Sequence, residues 1–170
     1  KGMENPKKVS LIVTMRFLER MNACGLNLVE IDGTHITVVI KVAELINAIG
    51  LELFTFWDNH YLDGSLPSDV HEMVSVAAEL NKLLNIFFYV FAYDDIDVSG
   101  AVIPLAIRLI ATVEKELDSR SKELRFNAAS HLSQLMIVMY KQMQYPPDFQ
   151  YDYEDEYDAE EEMYRSELRK

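Results

Sequence analysis

Cysteine is almost missing from this sequence: Cys24 stands alone in 170 residues. An intrachain disulfide is excluded, and a reducing compartment fits. No apolar run approaches the roughly 18 residues that a membrane span needs. No signal peptide is visible at the start. Bases are scarce beside acids, 16 against 28, for a formal net charge of −12. Nine of the acids lie between Asp148 and Glu162, and the remaining nineteen nearly balance the sixteen bases. The acidity is therefore local, and the body gives no support for nucleic-acid binding by bulk charge. Glycine is sparse too, and its six residues form neither a phosphate loop nor a GxGxxG turn.

What is abundant is helical periodicity. Asn5-Pro6 is placed to cap and start a first helix, and Cys24-Gly25 to end it. Ile36, Val39, Ile40 and Ala43 recur at helix spacing in a second pattern that runs to Trp57, with Gly50 inside it as a kink or a break. β-Branched residues in Thr34 to Ile40 are the one ambiguous stretch. After the turn-like "DGSLPSD", Val70, Met73, Val74, Ala77, Leu84, Phe88 and Phe91 share one face of a third helix. A fourth carries Val98, Val102, Leu105, Leu109, Val113 and Leu117, with Pro104 near its start. A fifth carries Leu124, Ala128, Leu132, Leu135, Met139 and Met143, and Tyr145-Pro146-Pro147 stops it. Asp158 and Glu161 form a capping pair for a sixth. Six helices at about 40 to 50 residues per pair predict an all-α fold, an α-solenoid of HEAT-type antiparallel helix pairs. The expected organisation is about three repeats over residues 1–170, from the middle of a longer solenoid. An acidic inter-helix segment occupies 145–157.

The chemical motifs are incomplete. Asp95, Asp97, Ser99 and Gly100 occupy positions of a calcium loop, but Ala106 stands where a bidentate Glu is required. Helix capping by these aspartates is the better reading. "HEMVS" at His71 begins like a zinc-protease helix, but its second ligand position holds Ser75. His35, His60 and His131 have no partners at ligand spacing, and His131 reads as a packed histidine. The sequence thus reads as non-catalytic, without a metal or cofactor site. Arg120, Lys122 and Arg125 cluster at the start of the fifth helix and are candidates for phosphate contact or for a solvated helix start. Phe54, Phe56, Trp57, Phe87, Phe88 and Tyr89 read as core packing. On composition, the acidic run is an interaction surface or a solvated linker.

Three stretches, "KGMENP", "YDDIDVSGAVIPLAIRLI" and above all "PPDFQYDYEDEYDAEEEMYRSELRK", resemble the tRNA exportins of the karyopherin-β (importin-β) family. In that family an acidic stretch leads into a helix bearing a Tyr-Arg pair, here Tyr164-Arg165. The resemblance implies a HEAT superhelix that binds tRNA and the GTP form of the GTPase Ran in the nucleus and releases both in the cytoplasm. Nuclear pore proteins would be further partners, and GTP and Mg would belong to the GTPase. It implies a shuttling, nuclear and cytoplasmic localisation. It also makes Asp152, Glu154, Asp155, Glu156, Asp158, Glu160, Glu161 and Glu162 the Ran-facing residues. Arg120, Lys122 and Arg125 would lie near the cargo. The second function class is a HEAT scaffold for protein assembly, or an exportin of another cargo, without RNA.

Overall fold

The computed structural model describes residues 2–23, 35–59, 70–118, 128–145, 149–152 and 155–169. Among these residues all regular structure is α-helical, and there is no strand. The helices are α1 (Asn5–Thr14), α2 (Phe17–Ala23), α3 (Ile36–Trp57), α4 (Val70–Phe91), α5 (Ile96–Gly100), α6 (Ile103–Asp118), α7 (Ala128–Gln142) and α8 (Glu156–Leu168).

The expected first helix is broken in two. Arg16 adopts a left-handed backbone with φ 47° between α1 and α2, a conformation that costs a non-glycine residue about 1–2 kcal/mol. Its amide donates to the Val13 carbonyl at 3.1 Å, and the Met15 amide to Leu11 at 2.9 Å, which closes α1. Asn5 does not cap α1. Its side-chain amide instead donates to the backbone carbonyl (2.9 Å) and carboxylate (2.7 Å) of Glu52 on α3, and Lys8 pairs with the same carboxylate. The predicted helix ending at Cys24-Gly25 lies outside the described residues.

Gly50 neither kinks nor splits α3, which is continuous for 22 residues. It is buried because α6 approaches there: a Cβ at Gly50 would stand 2.5 Å from a methyl carbon of Leu105. The stretch Ile36–Ile40 is the start of α3 and not a strand. β-Branched residues are tolerated because Val39 is fully packed and Ile36 and Ile40 are half-buried.

The predicted fourth helix is two pieces. Asp95 caps α5, its carboxylate accepting from the amides of Asp97 (3.0 Å) and Val98 (3.2 Å). Pro104 has no amide to give to the carbonyl four residues back, so the chain tightens around Ala101-Val102 before α6. The Leu105 amide at this joint donates to Asn47 Oδ1 on α3 at 3.0 Å.

α3 packs on α4 and α6 on α7, and the two pairs lie side by side, α3 against α6 and α4 against α7. Neighbouring helices run parallel: Asn47 meets Leu105 and Asp58 meets Thr112 along α3 and α6. Along α4 and α7, Asn81 meets His131, and Gln142 reaches the carbonyls of Phe91 and Tyr93. α1 packs on α3 and α4, α2 on α1 and α4, and α5 on α3 and α4, with α8 docked on α5.

The core centres on Trp57, Phe54, Phe56, Phe87 and Phe91, all essentially inaccessible. Burying a side chain of this size contributes about 1.5–3 kcal/mol. Two expected core positions differ: Val74 and Tyr89 are exposed, on the side of α4 turned away from α3. Helix α4 also corrects the expectation about apolar runs. His71–Phe91 is long and apolar enough to cross a membrane by length and composition, with mean hydropathy 1.3. That character reflects burial among the helices packed on α4 (α3, α5 and α7 among them), with Met73, Val76, Leu80, Leu83, Leu84 and Phe87 buried.

Candidate interaction surface

The acidic segment is built around one cation. Tyr145 and Phe149 stack with centroids 4.7 Å apart. The Arg165 guanidinium carbon lies 4.1 Å over the Tyr145 ring and 5.8 Å from that of Phe149. Such contacts are worth about 0.5–2 kcal/mol, more when desolvated, and Arg165 is only 7% exposed. Its Nη2 also pairs with Glu161 at 2.6 Å. Tyr164, beside it, is buried, and a Cβ added at Gly100 of α5 would stand 3.9 Å from its ring. One face of α8 is thereby held against α5, and the other carries acids outward.

The eight acids expected to face a partner divide into groups. Asp155 is the cap of α8, accepting from the Tyr157 amide at 2.8 Å. Asp158, expected to be the cap, lies inside the first turn, and its Oδ2 accepts the Asp152 amide at 2.8 Å. The chain thus enters the helix three residues earlier than the Asp158–Glu161 spacing suggested, because Asp155 satisfies the amide that a cap must satisfy. Glu161 is tied to Arg165. Glu162 accepts from Tyr145 Oη and from Arg169 at 3.1 Å, and these two partners hold its carboxyl below the usual range. Glu156 and Glu160 are exposed, one turn apart on α8, and form no ion pair among the described residues. Asp152 is exposed as well. Glu154, and the basic cluster Arg120, Lys122 and Arg125, lie outside the described residues.

The calcium-like motif does not adopt a ligand loop. Ser99 is fully buried and its hydroxyl donates to the Asp95 backbone carbonyl at 3.0 Å. Asp97 stands in the first turn of α5, where a negative charge favours the helix dipole. No group of three or more metal-ligating side chains occurs among the described residues. His131 packs as expected, its ring stacked on Phe88 at 6.1 Å and its Nε2 bonded to Asn81 Oδ1 at 3.0 Å. Burial lowers its pKa.

Sequence reasoning missed the second polar cluster, where α3 ends against α6. Asp58 is buried and bonded to Arg108 (2.7 Å), Lys115 (3.2 Å) and Thr112 (3.1 Å). One residue back, Trp57 Nε1 donates to buried Glu116 at 2.9 Å. The one available signal is the spacing of Arg108, Thr112, Lys115 and Glu116, polar residues at helix period within an apolar element.

No family model matches this chain, and no characterised protein matches it significantly in sequence.

Proposed function

We propose that this chain is a portion of a HEAT-type solenoid acting as a nuclear export receptor of the karyopherin-β family, binding Ran-GTP and tRNA. One observation carries the reading. A cluster of carboxylates, with Asp152, Glu156 and Glu160 exposed, is mounted on a helix that is itself anchored by buried Tyr164 and Arg165. A plain solvated linker has no need of such an anchor. Carboxylates gathered this way repel one another unless a basic surface or solvent offsets them, and they raise the association rate of a basic partner. The parallel stacking of α3 on α6 and α4 on α7 agrees with HEAT-type pairs, each burying its face only against neighbours. On the pattern of that family α6 would be an outer helix and α7 an inner one. Arg120, Lys122 and Arg125, between them in sequence, are proposed for the cargo side.

The test removes charge without removing caps. Asp152→Asn, Glu156→Gln and Glu160→Gln are combined, and association with Ran-GTP is measured at low and moderate salt. Slower association with a weaker salt effect is expected, at unchanged helix content. An unchanged rate and salt slope makes the segment a linker, and leaves a protein-assembly scaffold as the better reading. A second arm replaces Arg120, Lys122 and Arg125 by alanine. The log–log salt slope of tRNA binding is expected to fall by roughly one unit per lost phosphate contact.

A further inference from the structure

The first turns of α8 place a tyrosine, a carboxylate and a buried guanidinium in line. Tyr157, Glu161 and Arg165 recur every four residues, on one face of the helix. Tyr157 is 52% exposed. Partial burial, and then the charge of Glu161 and its hydrogen bond, raise the pKa of the Tyr157 hydroxyl; the charge of Asp95 on α5 adds to the rise and that of Arg165 opposes it. Glu161 in turn holds Arg165 Nη2. The Nε and Nη1 atoms of Arg165 are buried and have no hydrogen-bond partner. A cation that is more than nine-tenths buried, with unused donors, is an acceptor site for an anion larger than one carboxylate.

We infer that Tyr157 is a site of phosphorylation, and that its phosphate replaces Glu161 as the partner of Arg165. The donor is ATP. Tyr157 Oη bonds to the γ-phosphorus, the bond to ADP breaks, and the phenolic proton leaves to the base of the kinase. The kinase class is one whose substrate groove is basic, because Tyr157 is flanked by Asp155, Glu156, Asp158, Glu160 and Glu161.

Access needs only the end of the helix to open. The first amides of a helix have no partners within it, and here the Tyr157 amide is held by the Asp155 side chain and the Ala159 amide by the Asp155 carbonyl. Tyr157 and Arg165 are about 12 Å of helix rise apart. Glu161 already spans that gap, and a phosphate lengthens the tyrosine toward Arg165. The added charge is about −1.5 to −2. Asp95, facing from α5, opposes it. Glu161, once displaced, joins Glu156 and Glu160 at the surface. This inference does not depend on which partner the acidic segment binds.

The experiment treats the chain with ATP and an acid-directed tyrosine kinase and locates the phosphate by mass spectrometry. Phosphate on Tyr157, absent in Tyr157→Phe, is expected. Modification confined to Tyr151 or Tyr153 overturns the site. The phosphorylated chain is then titrated by phosphorus NMR. The second ionisation is expected well below the value of about 6 for a free phosphotyrosine, and to return toward it in Arg165→Lys and further in Arg165→Gln. Circular dichroism checks that these variants keep their helices. If Arg165→Gln unfolds the chain, the comparison rests on Arg165→Lys and on the unmodified value. A phosphate that titrates as free phosphotyrosine in the wild-type chain overturns Arg165 as its receiver.

Discussion

Single residues set two properties that an inspection of helix pattern does not show. Glu116 is buried, and that burial, aided by the charge of Asp58 and opposed by the Trp57 hydrogen bond, pushes its pKa up to about 7. This lies above the ordinary value of 4.5 that it has when unfolded. The folded state therefore holds a proton that the unfolded state releases. The stability linked to it is full below the unfolded value and is lost as pH rises through the folded one. A shift of this size corresponds to at most about 3 kcal/mol. His131 works the other way, its lowered pKa removing stability as pH falls. The informative quantity is thus the difference between the wild type and Glu116→Gln, whose amide oxygen still accepts from Trp57. Urea midpoints taken between about pH 5 and 8 should fall more steeply with pH in the wild type. Parallel curves would mean that Glu116 is ionised throughout. Gly50 is the other case. Gly50→Ala adds about 1 kcal/mol of helix propensity but drives a methyl into Leu105, an overpacking of about 1–3 kcal/mol. Net destabilisation is expected, and Leu105→Ala in the same chain should make Gly50→Ala stabilising. The four-corner cycle, read by thermal melts, checks the coupling.

Elements begin and end where capping chemistry allows. Asp95→Ala removes a carboxylate that satisfies two amides of α5, and should cost about 0.5–2 kcal/mol in denaturant unfolding. Asp97→Ala, on the same turn but without a capping bond, should cost a few tenths. Equal losses would show that charge near the dipole, not the cap, is what matters. The sequence made Asp95 legible because Asp precedes an apolar run there. It misled at α8, where Asp155 and Asp158 both stand before helix-forming residues and only the fold selects between them. The division of the fourth helix was half legible: Pro104 announces strain, but its resolution depends on Asn47, 58 residues away in sequence, taking the Leu105 amide. The apolar positions of α3, α6 and α7 were readable from spacing. Val74 and Tyr89 failed as core residues although apolar, because they stand with His71, Ala78 and Asn85 on the exposed side of α4. The acidic segment was plain in composition, but the aromatic pair that holds Arg165 was not. Tyr145 and Phe149 meet Arg165 over a sequence separation that no local pattern bridges.

At the scale of the whole molecule, the proposed stacking of helix pairs makes a claim about cooperativity. A closed bundle shares one core and opens as a unit. A stack of hairpins has stability that is roughly a sum of hairpin terms and nearest-neighbour terms, so its ends open first. Here α3 is packed by α1, α4 and α6, and α4 by α3, α5 and α7, whereas α8 makes its main helix contact with α5 alone. The aromatic core lies where α3 and α4 face each other, with Phe54, Phe56, Trp57, Phe87 and Phe91 all buried. Native-state hydrogen exchange should therefore give a gradient. Amides of α3 and α4 should exchange only by the largest opening, those of α6 and α7 by a smaller one, and those of α1, α2 and α8 by the smallest. Arg165→Gln, which removes the cation that ties α8 to Tyr145 and Phe149, should speed exchange throughout α8 and leave α3 and α4 unchanged. A substitution in the central pair, Leu84→Ala, removes a fully buried side chain and should cost about 2–5 kcal/mol. It should lower protection in α3 and α4 together, and through them in the helices packed on them. If Arg165→Gln instead accelerates every helix by the same factor, the chain opens as one unit and the serial description of its stability is wrong.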